Sequence, residues 1–332
     1  MHSHYLCHMK NLCEAIYEFL EREGFECTCK DMRGCKVIYA LTPGNQPRAV
    51  LPLEIYAESE EEAGAYADMA AECIGNITDD ILSRPIMITE DRWNSQKEMM
   101  KARLLAHLEV FEQIYARNCE IKKIDKQTAA EFLAANHSYG DAKCRHRYGL
   151  YLKRHTGHNA DGAPDRCRKG RVTPGTLVAV ATFSNARKWI KGDKTIRSYE
   201  WTRYASLPGV RLSGGMGKLL NAFIEDVHPD DIMTYADLEW SEGKVYERLG
   251  FVLEGVKDPV TFAIDPESWD RSAVKEQDMT SVDPRPYGAP PSRGWHVNSG
   301  HCPALQPIMT KERVFFRNFG SNKYRLKLTD YQ

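Results

Sequence analysis

The chain has 332 residues, with 45 basic and 46 acidic side chains and a formal net charge of -1. Hydrophobic residues make up 42% and charged residues 27%, ordinary values for a globular protein that exclude a disordered or fibrous chain. No apolar run approaches the ~20 residues of a membrane span, and no basic-then-apolar leader opens the sequence. The charge balance excludes a nucleic-acid binder that relies on bulk charge, though not a local basic patch. A cytoplasmic protein with no membrane partner is expected.

In chain order, Asn11 to Glu23 has the apolar spacing of an amphipathic helix, with Leu12, Ile16, Phe19 and Leu20 on one face and Gly24 as its stop. Strands are expected over Val37–Leu41 and Ala49–Tyr56, then a helix over Glu58–Ile74 and a strand over Arg84–Thr89. From Glu54 to Asp80 there are 9 acidic residues and no Lys or Arg, the pattern of a solvated acidic face. Residues 1–90 thus read as a small α/β module. Asp91 to Tyr115 reads as one long helix, so 91–118 is expected to bridge two domains.

The pattern then changes. Residues 119–265 read as β-α-β-β-β-α-β-α-β-β, with strands at Cys119–Ile124, Arg147–Lys153, Gly175–Phe183, Ser198–Ala205, Ile232–Asp237, Phe251–Val256 and Val260–Ile264. The helices fall at Lys126–Asn136, Ser213–Val227 and Glu242–Leu249. Residues 266–332 form a Pro-rich, irregular tail whose end, Arg313–Asn318 and Tyr324–Leu328, reads as a β-hairpin. The ten cysteines are scattered with no C-x-x-C, as expected of reduced thiols. Cys144, His146, His155, His158 and Cys167 share one stretch, but structural zinc sites show tighter paired spacings, so no metal is assigned.

Chemistry concentrates between 199 and 251. Ser213-Gly-Gly-Met-Gly-Lys218 places glycines at a helix start, where side-chain-free N–H groups suit a pyrophosphate. Tyr199-Glu-Trp-Thr-Arg203 lies on the preceding strand; alternation puts Glu200, Thr202 and Tyr204 on one face and Trp201 and Arg203 on the other. Tyr246-Glu-Arg-Leu-Gly-Phe251 closes the next helix.

Together these segments resemble the GNAT superfamily of acyl-CoA-dependent acyltransferases over Cys119–Asp265. The phosphate pattern fits in two registers: on Gly215 and Gly217, with Leu212 in the basic position, or on Arg211 and Gly214, with Met216 in the small position. The resemblance implies an α/β (α+β) fold with a central mixed sheet, an acyl-CoA such as acetyl-CoA as cofactor, and an amine acceptor. It further implies Ser213, Gly214, Gly215, Met216, Gly217 and Lys218 around the pyrophosphate, and Tyr246 as general acid to the leaving thiolate. In this fold two strands splay apart and the acyl group enters between them, so Glu200 is expected as general base with Asp237 second. An internal ion pair of Arg203 with either carboxylate is the alternative.

A narrower resemblance runs through Ala135-Asn-His-Ser-Tyr-Gly140, Tyr148-Gly-Leu-Tyr151, Val180-Ala-Thr-Phe183, Tyr199-Glu-Trp-Thr-Arg203, Ser213-Gly-Gly-Met216 and Thr234-Tyr-Ala-Asp237. It is similar to phage-associated GNAT-like proteins linked to homing endonucleases and to Mom-type proteins that modify adenine in DNA. It adds His137, Arg203 and Tyr235 as site candidates. Lys143–Arg171 carries nine Lys or Arg against two Asp, and Arg187, Lys188, Trp189 and Lys191 follow within 187–197. Such clusters suit phosphate contacts and base stacking on DNA or RNA. Three readings follow: an N-acyltransferase acting on or near nucleic acid, a non-catalytic GNAT-like nucleic-acid-binding module, and Mom-type base modification.

Overall fold

The computed structural model describes residues 11–32, 34–154, 172–274 and 313–330. Helix α1 (Leu12–Arg22) starts where Asn11 accepts a hydrogen bond from the Glu14 N–H. It ends in a Schellman turn at Gly24, with the Phe25 and Gly24 N–H groups donating to Leu20 and Glu21. Strands β1 (Cys27–Met32), β2 (Cys35–Leu41), β3 (Pro47–Leu53) and β4 (Ile86–Thr89) form one sheet in that order. Helix α2 (Glu60–Ile81), capped by Ser59, links β3 to the parallel β4. Alternate residues of this sheet face opposite ways: Ile38, Val50 and Ile88 join α1, while Val37, Leu51 and Met87 join α2.

The long helix expected over 91–115 is three elements instead. Helix α3 (Glu90–Ser95) and helix α4 (Lys97–His107) break at Gln96, whose backbone leaves the helical region. Ser95 Oγ donates back to the Asp91 carbonyl, a bond that competes with the helix ladder. Helix α4 closes in a second Schellman turn through the left-handed Glu109, and β5 (Glu112–Tyr115) follows. Trp93, Met100 and Leu104 pack with α1, so α3 and α4 thicken the first core.

The main sheet comprises β6 (Cys119–Lys123), β7 (His146–Leu152), β8 (Leu177–Phe183), β9 (Arg187–Lys191), β10 (Lys194–Ser206), β12 (Asp231–Asp237), β13 (Val252–Lys257) and β17 (Ser321–Lys327). Its order is β13-β17-β12-β10-β8-β7-β6, with β9 paired to the first half of β10. Helix α5 (Lys126–Asn136) covers one face through Phe132 and Leu133 against Val180 and Ala205. Helix α6 (Gly215–Val227) covers the other, stacking Phe223 on Phe183 at 3.9 Å between ring centroids. Ahead of α6, β11 (Val210–Ser213) pairs parallel with β5; after β12 comes the short α7 (Lys244–Arg248). This is the α/β class expected, with a mixed sheet flanked by helices.

The two C-terminal strands are present but do not form a hairpin with each other. Strand β17 inserts between β12 and β13. Strand β16 (Val314–Arg317) joins β14 (Thr261–Ile264) and β15 (Arg271–Ala273) in a separate three-stranded sheet. Gly320 makes the passage between them: at φ +76, a Cβ there would lie 2.3 Å from the Lys257 carbonyl oxygen.

Candidate active site

Strands β10 and β12 run parallel only from Ser198–Asp231 to Glu200–Met233, and then part. Their joined end is locked. Asp231 is fully buried and receives Arg325 Nη1 at 2.6 Å and Ser198 Oγ at 2.5 Å. Past Glu200 the link is a side chain, with Thr234 Oγ1 donating to the Trp201 carbonyl at 3.1 Å.

A bulge at Trp201–Arg203 deepens the parting. It also corrects the alternation expected for this strand. The extra residue is Thr202, so Arg203 pairs with Thr182 while Trp201 pairs with Phe183. Tyr204 therefore shares the α6 face with Trp201, their rings meeting edge-on at 6.1 Å. Arg203 falls on the Glu200 face instead of opposite it.

The gap is a cavity of about 470 Å³, bordered by Glu200 to Tyr204, Thr234 to Asp237, His137 to Tyr139, Met216, Trp240 and Tyr246. It thus gathers all six expected catalytic candidates: Glu200, Asp237, Tyr246, His137, Arg203 and Tyr235. Met99 of α4 completes the wall from the N-terminal module.

Asp237 is the most elaborately held of these. Its Oδ2 accepts from Tyr139 Oη at 2.8 Å and its Oδ1 from the Glu239 N–H at 2.9 Å. Burial, and then the neighbouring Glu239 charge, push its carboxyl above the usual range. The expected alternative of an Arg203 ion pair is not what forms: among the described residues no salt bridge joins Arg203 to Glu200 or Asp237. Its guanidinium donates to the carbonyls of Gly140 at 3.1 Å and Thr202 at 2.8 Å.

Tyr246 packs among Trp201, Phe251 and Tyr324 at 5.6–5.9 Å between centroids. Burial raises its phenol, which keeps the proton at neutral pH. His137 ends α5, and its Nδ1 accepts the Tyr139 N–H at 3.1 Å. Burial, with Arg203 and Arg92 nearby, lowers the imidazole to about 4. A neutral ring with that nitrogen occupied is a weak base, and its evident task is to shape the loop. Tyr235 carries Lys257 Nζ over its ring at 4.1 Å.

The start of α6 is open. Gly214, at φ +77, is an N-cap with no side-chain cap. First-turn N–H groups have no intrahelical acceptor, so those of Gly215, Met216 and Gly217 suit an anion. Two expectations change here. Lys218 Nζ is spent on the carbonyls of Ala116 at 2.9 Å and Cys119 at 2.6 Å, so it anchors the helix. Gly215 is small for a packing reason, because a Cβ there would lie 2.4 Å from Leu212 Cδ2. Ser213 Oγ accepts from Gln113 Nε2 at 2.9 Å. Arg211, two residues earlier, is exposed.

A buried ionic cluster lies behind the cavity, and no local pattern of residues marks it. Glu239, 1% exposed, pairs with Arg92 at 2.7 Å and Arg271 at 2.8 Å. Arg271 also binds Asp91. Burial alone would raise the Glu239 carboxyl, but Arg271 and Arg92 hold it down at about 2.

Of the basic stretches, β9 presents Arg187, Lys188, Trp189 and Lys191 on an exposed ribbon. The part of 143–171 that includes His155, His158 and Cys167 lies outside the described residues. Among the described residues no group of three or more His, Cys, Asp or Glu is placed to hold a metal. None of their helices is long and apolar enough to cross a membrane.

No family model and no curated protein matches the chain. Seven chains of solved structures match; one of them does so at 14% identity and a TM-score of 0.25, covering 42% of this chain and 87% of its own length. It is described as a tyrosine-to-phenylalanine mutant of the AtaT toxin bound to the C-terminus of the antitoxin AtaR and acetyl-CoA. At that score the likeness bears no weight; the fold rests on the strand order above.

Proposed function

We propose that the protein is an acyl-CoA-dependent N-acyltransferase of the GNAT type. One observation carries this reading: β10 and β12 part after Glu200, and the gap extends from Met216 in the first turn of α6 to the Asp237 carboxylate. The N–H groups of Gly215, Met216 and Gly217 would hold the pyrophosphate. Acyl-CoA, when bound, would supply the thioester. Asp237 and Glu200 are the cavity carboxylates able to accept the proton of an acceptor ammonium. Tyr246, which borders the same cavity and keeps its proton, would supply it to a leaving thiolate.

Calorimetry with acetyl-CoA tests this. Binding is expected, and Met216→Glu should weaken it about tenfold or more by placing a carboxylate in the phosphate position. An acidic residue in a first turn favours the helix, and circular dichroism checks that the variant keeps its fold despite the loss of the Met216 packing. No heat at millimolar acetyl-CoA overturns the proposal.

The exposed β9 ribbon favours an acceptor on or near nucleic acid. Its Arg187, Lys188 and Lys191, with Trp189 among them, pair with the half of β10 that leads into the cavity. Affinity for single-stranded DNA or RNA should then fall steeply with salt, and a flat dependence would remove the phosphate contacts from the account.

A further inference from the structure

The segment that follows Asp237 is gripped by arginines from the N-terminal module. Arg84 Nη2 donates to the Leu238 carbonyl at 2.8 Å. Arg103 Nη2 donates to the carbonyls of Glu239 at 3.1 Å and Trp240 at 3.2 Å. Arg92 bonds the Glu239 carboxylate, and Gln96 Nε2 donates to the Ser138 carbonyl at 2.9 Å. The Arg92 guanidinium also lies 4.7 Å from the centre of the Tyr139 ring. Tyr139 in turn donates to Asp237. Each link is a direct contact, and the chain of contacts runs from α3 to a cavity carboxylate.

We propose that the N-terminal module is a built-in part of the catalytic cleft, with Arg92 as the positioning residue that holds Tyr139 against Asp237. Three observations favour this over a detachable recruitment domain. The contacts converge on one short segment, Leu238–Trp240, and on the loop at Ser138. Arg92 and Glu239 are 4% and 1% exposed at their side chains, so the junction is as dry as a core. Met99 of the module borders the cavity itself. The inference rests on the acyltransferase reading for the role of Asp237, but the grip on Asp237 is measurable without any acyl donor.

Asp237 is faced by Tyr139 from the loop after α5, Glu239 from its own strand end, Arg92 from α3 and Arg103 from α4. Glu200 and Arg203 of β10 border the same cavity. Tyr139 and Arg92 both favour the ionised carboxylate, whereas Glu239 opposes it. The experiment is a carbon-13 carboxyl titration of the full chain labelled at aspartate, with Asp237→Asn used to assign the resonance. Tyr139→Phe keeps the ring under Arg92 and removes only the hydroxyl. It should raise the Asp237 midpoint by about one pH unit. Arg92→Gln should raise it in the same direction, and Arg92→Lys should restore part of the shift.

A wild-type midpoint in Tyr139→Phe overturns the proposal, even if Arg92→Gln fails to fold. A wild-type midpoint in a folded Arg92→Gln overturns it as well. If acetyl-CoA does not bind but these shifts appear, the acyltransferase reading falls and the coupling of module to site stands.

Discussion

Strand β12 carries an aspartate at each end, and the two are held in opposite ways. Asp231 is fully buried, paired with Arg325 and bonded to Ser198, where β10 and β12 are joined. Asp237 stands where they have parted, with neutral donors on both oxygens and no salt bridge among the described residues. A buried carboxylate with a cation in contact is a fastener, and breaking such a pair from one side is costly. A half-buried carboxylate left without a cation in contact is held at higher energy when charged, as a proton acceptor in a cleft should be. The same residue type thus closes one end of the strand pair and arms the other.

The comparison is broken most directly at Asp237. If the proposed reaction holds, Asp237→Asn should lower acyl transfer by about 10²–10⁴-fold. Its stability should change by less than about 1 kcal/mol, because the fold already disfavours the charge. Acetyl-transfer rates and thermal unfolding, measured together, check both halves. Asp231→Ala should do the reverse to stability, costing about 1–3 kcal/mol, because Ser198 Oγ and Arg325 Nη1 lose their buried acceptor while Arg325 keeps its pair with Glu254. Denaturant unfolding reads that loss; a cost under about 1 kcal/mol would mean that the joined end is not fastened by charge.

A third measurement sharpens the contrast by pH. Glu239 is held down at about 2 by its arginines. Its contribution is complete above the unfolded value near 4.5 and is lost as pH falls toward 2. The loss is at most about 3 kcal/mol. Asp237 has the opposite sign: its raised carboxyl favours the fold when protonated, and that contribution is lost as pH rises through its folded value. Glu239→Gln should therefore flatten the acid limb of the stability curve below pH 4.5, and Asp237→Asn should not.

Much of this was legible in the sequence, and what escaped has a common cause. Short-range signals held: Asn11 and Gly24 bound α1, and the glycines at 214–217 mark the start of α6. The apolar run at 177–183 is a central strand, and the six catalytic candidates converge on one cavity. Alternation along Glu200–Tyr204 failed because a bulge adds a residue, and a bulge leaves no mark in side-chain pattern. The helix expected over 91–115 failed because Met99, Leu104, Leu108 and Phe111 keep apolar spacing through the turn at Glu109, and no residue type marks the break at Gln96. The insertion of β17 joins residues 64 to 96 positions apart, and the ionic cluster joins Arg92 to Glu239 across 147 positions and Asp91 to Arg271 across 180. Read locally, each of those charges is an ordinary surface residue. Only the fold shows that they share one dry junction.

The smallest expected effect separates loop shape from chemistry in that junction. His137 borders the cavity, yet its lowered imidazole and its bond to the Tyr139 N–H mark it as a shaping residue. Its folded value of about 4 lies below the unfolded value of about 6.5. Above pH 6.5 the folded and unfolded chains hold the same neutral ring, and no penalty arises. As pH falls from 6.5 toward 4, the unfolded state takes up the proton first, and stability declines by on the order of 1 kcal/mol, below the ceiling of about 3 that this shift sets, because water screens the half-buried ring. His137→Asn retains a side-chain acceptor for the Tyr139 N–H and cannot titrate. It should erase the decline between pH 6.5 and 4 while leaving the Asp237 midpoint unchanged. If the variant instead moves that midpoint, His137 belongs with Tyr139 and Arg92 in holding the carboxylate, and the open end of β12 is tuned by three groups.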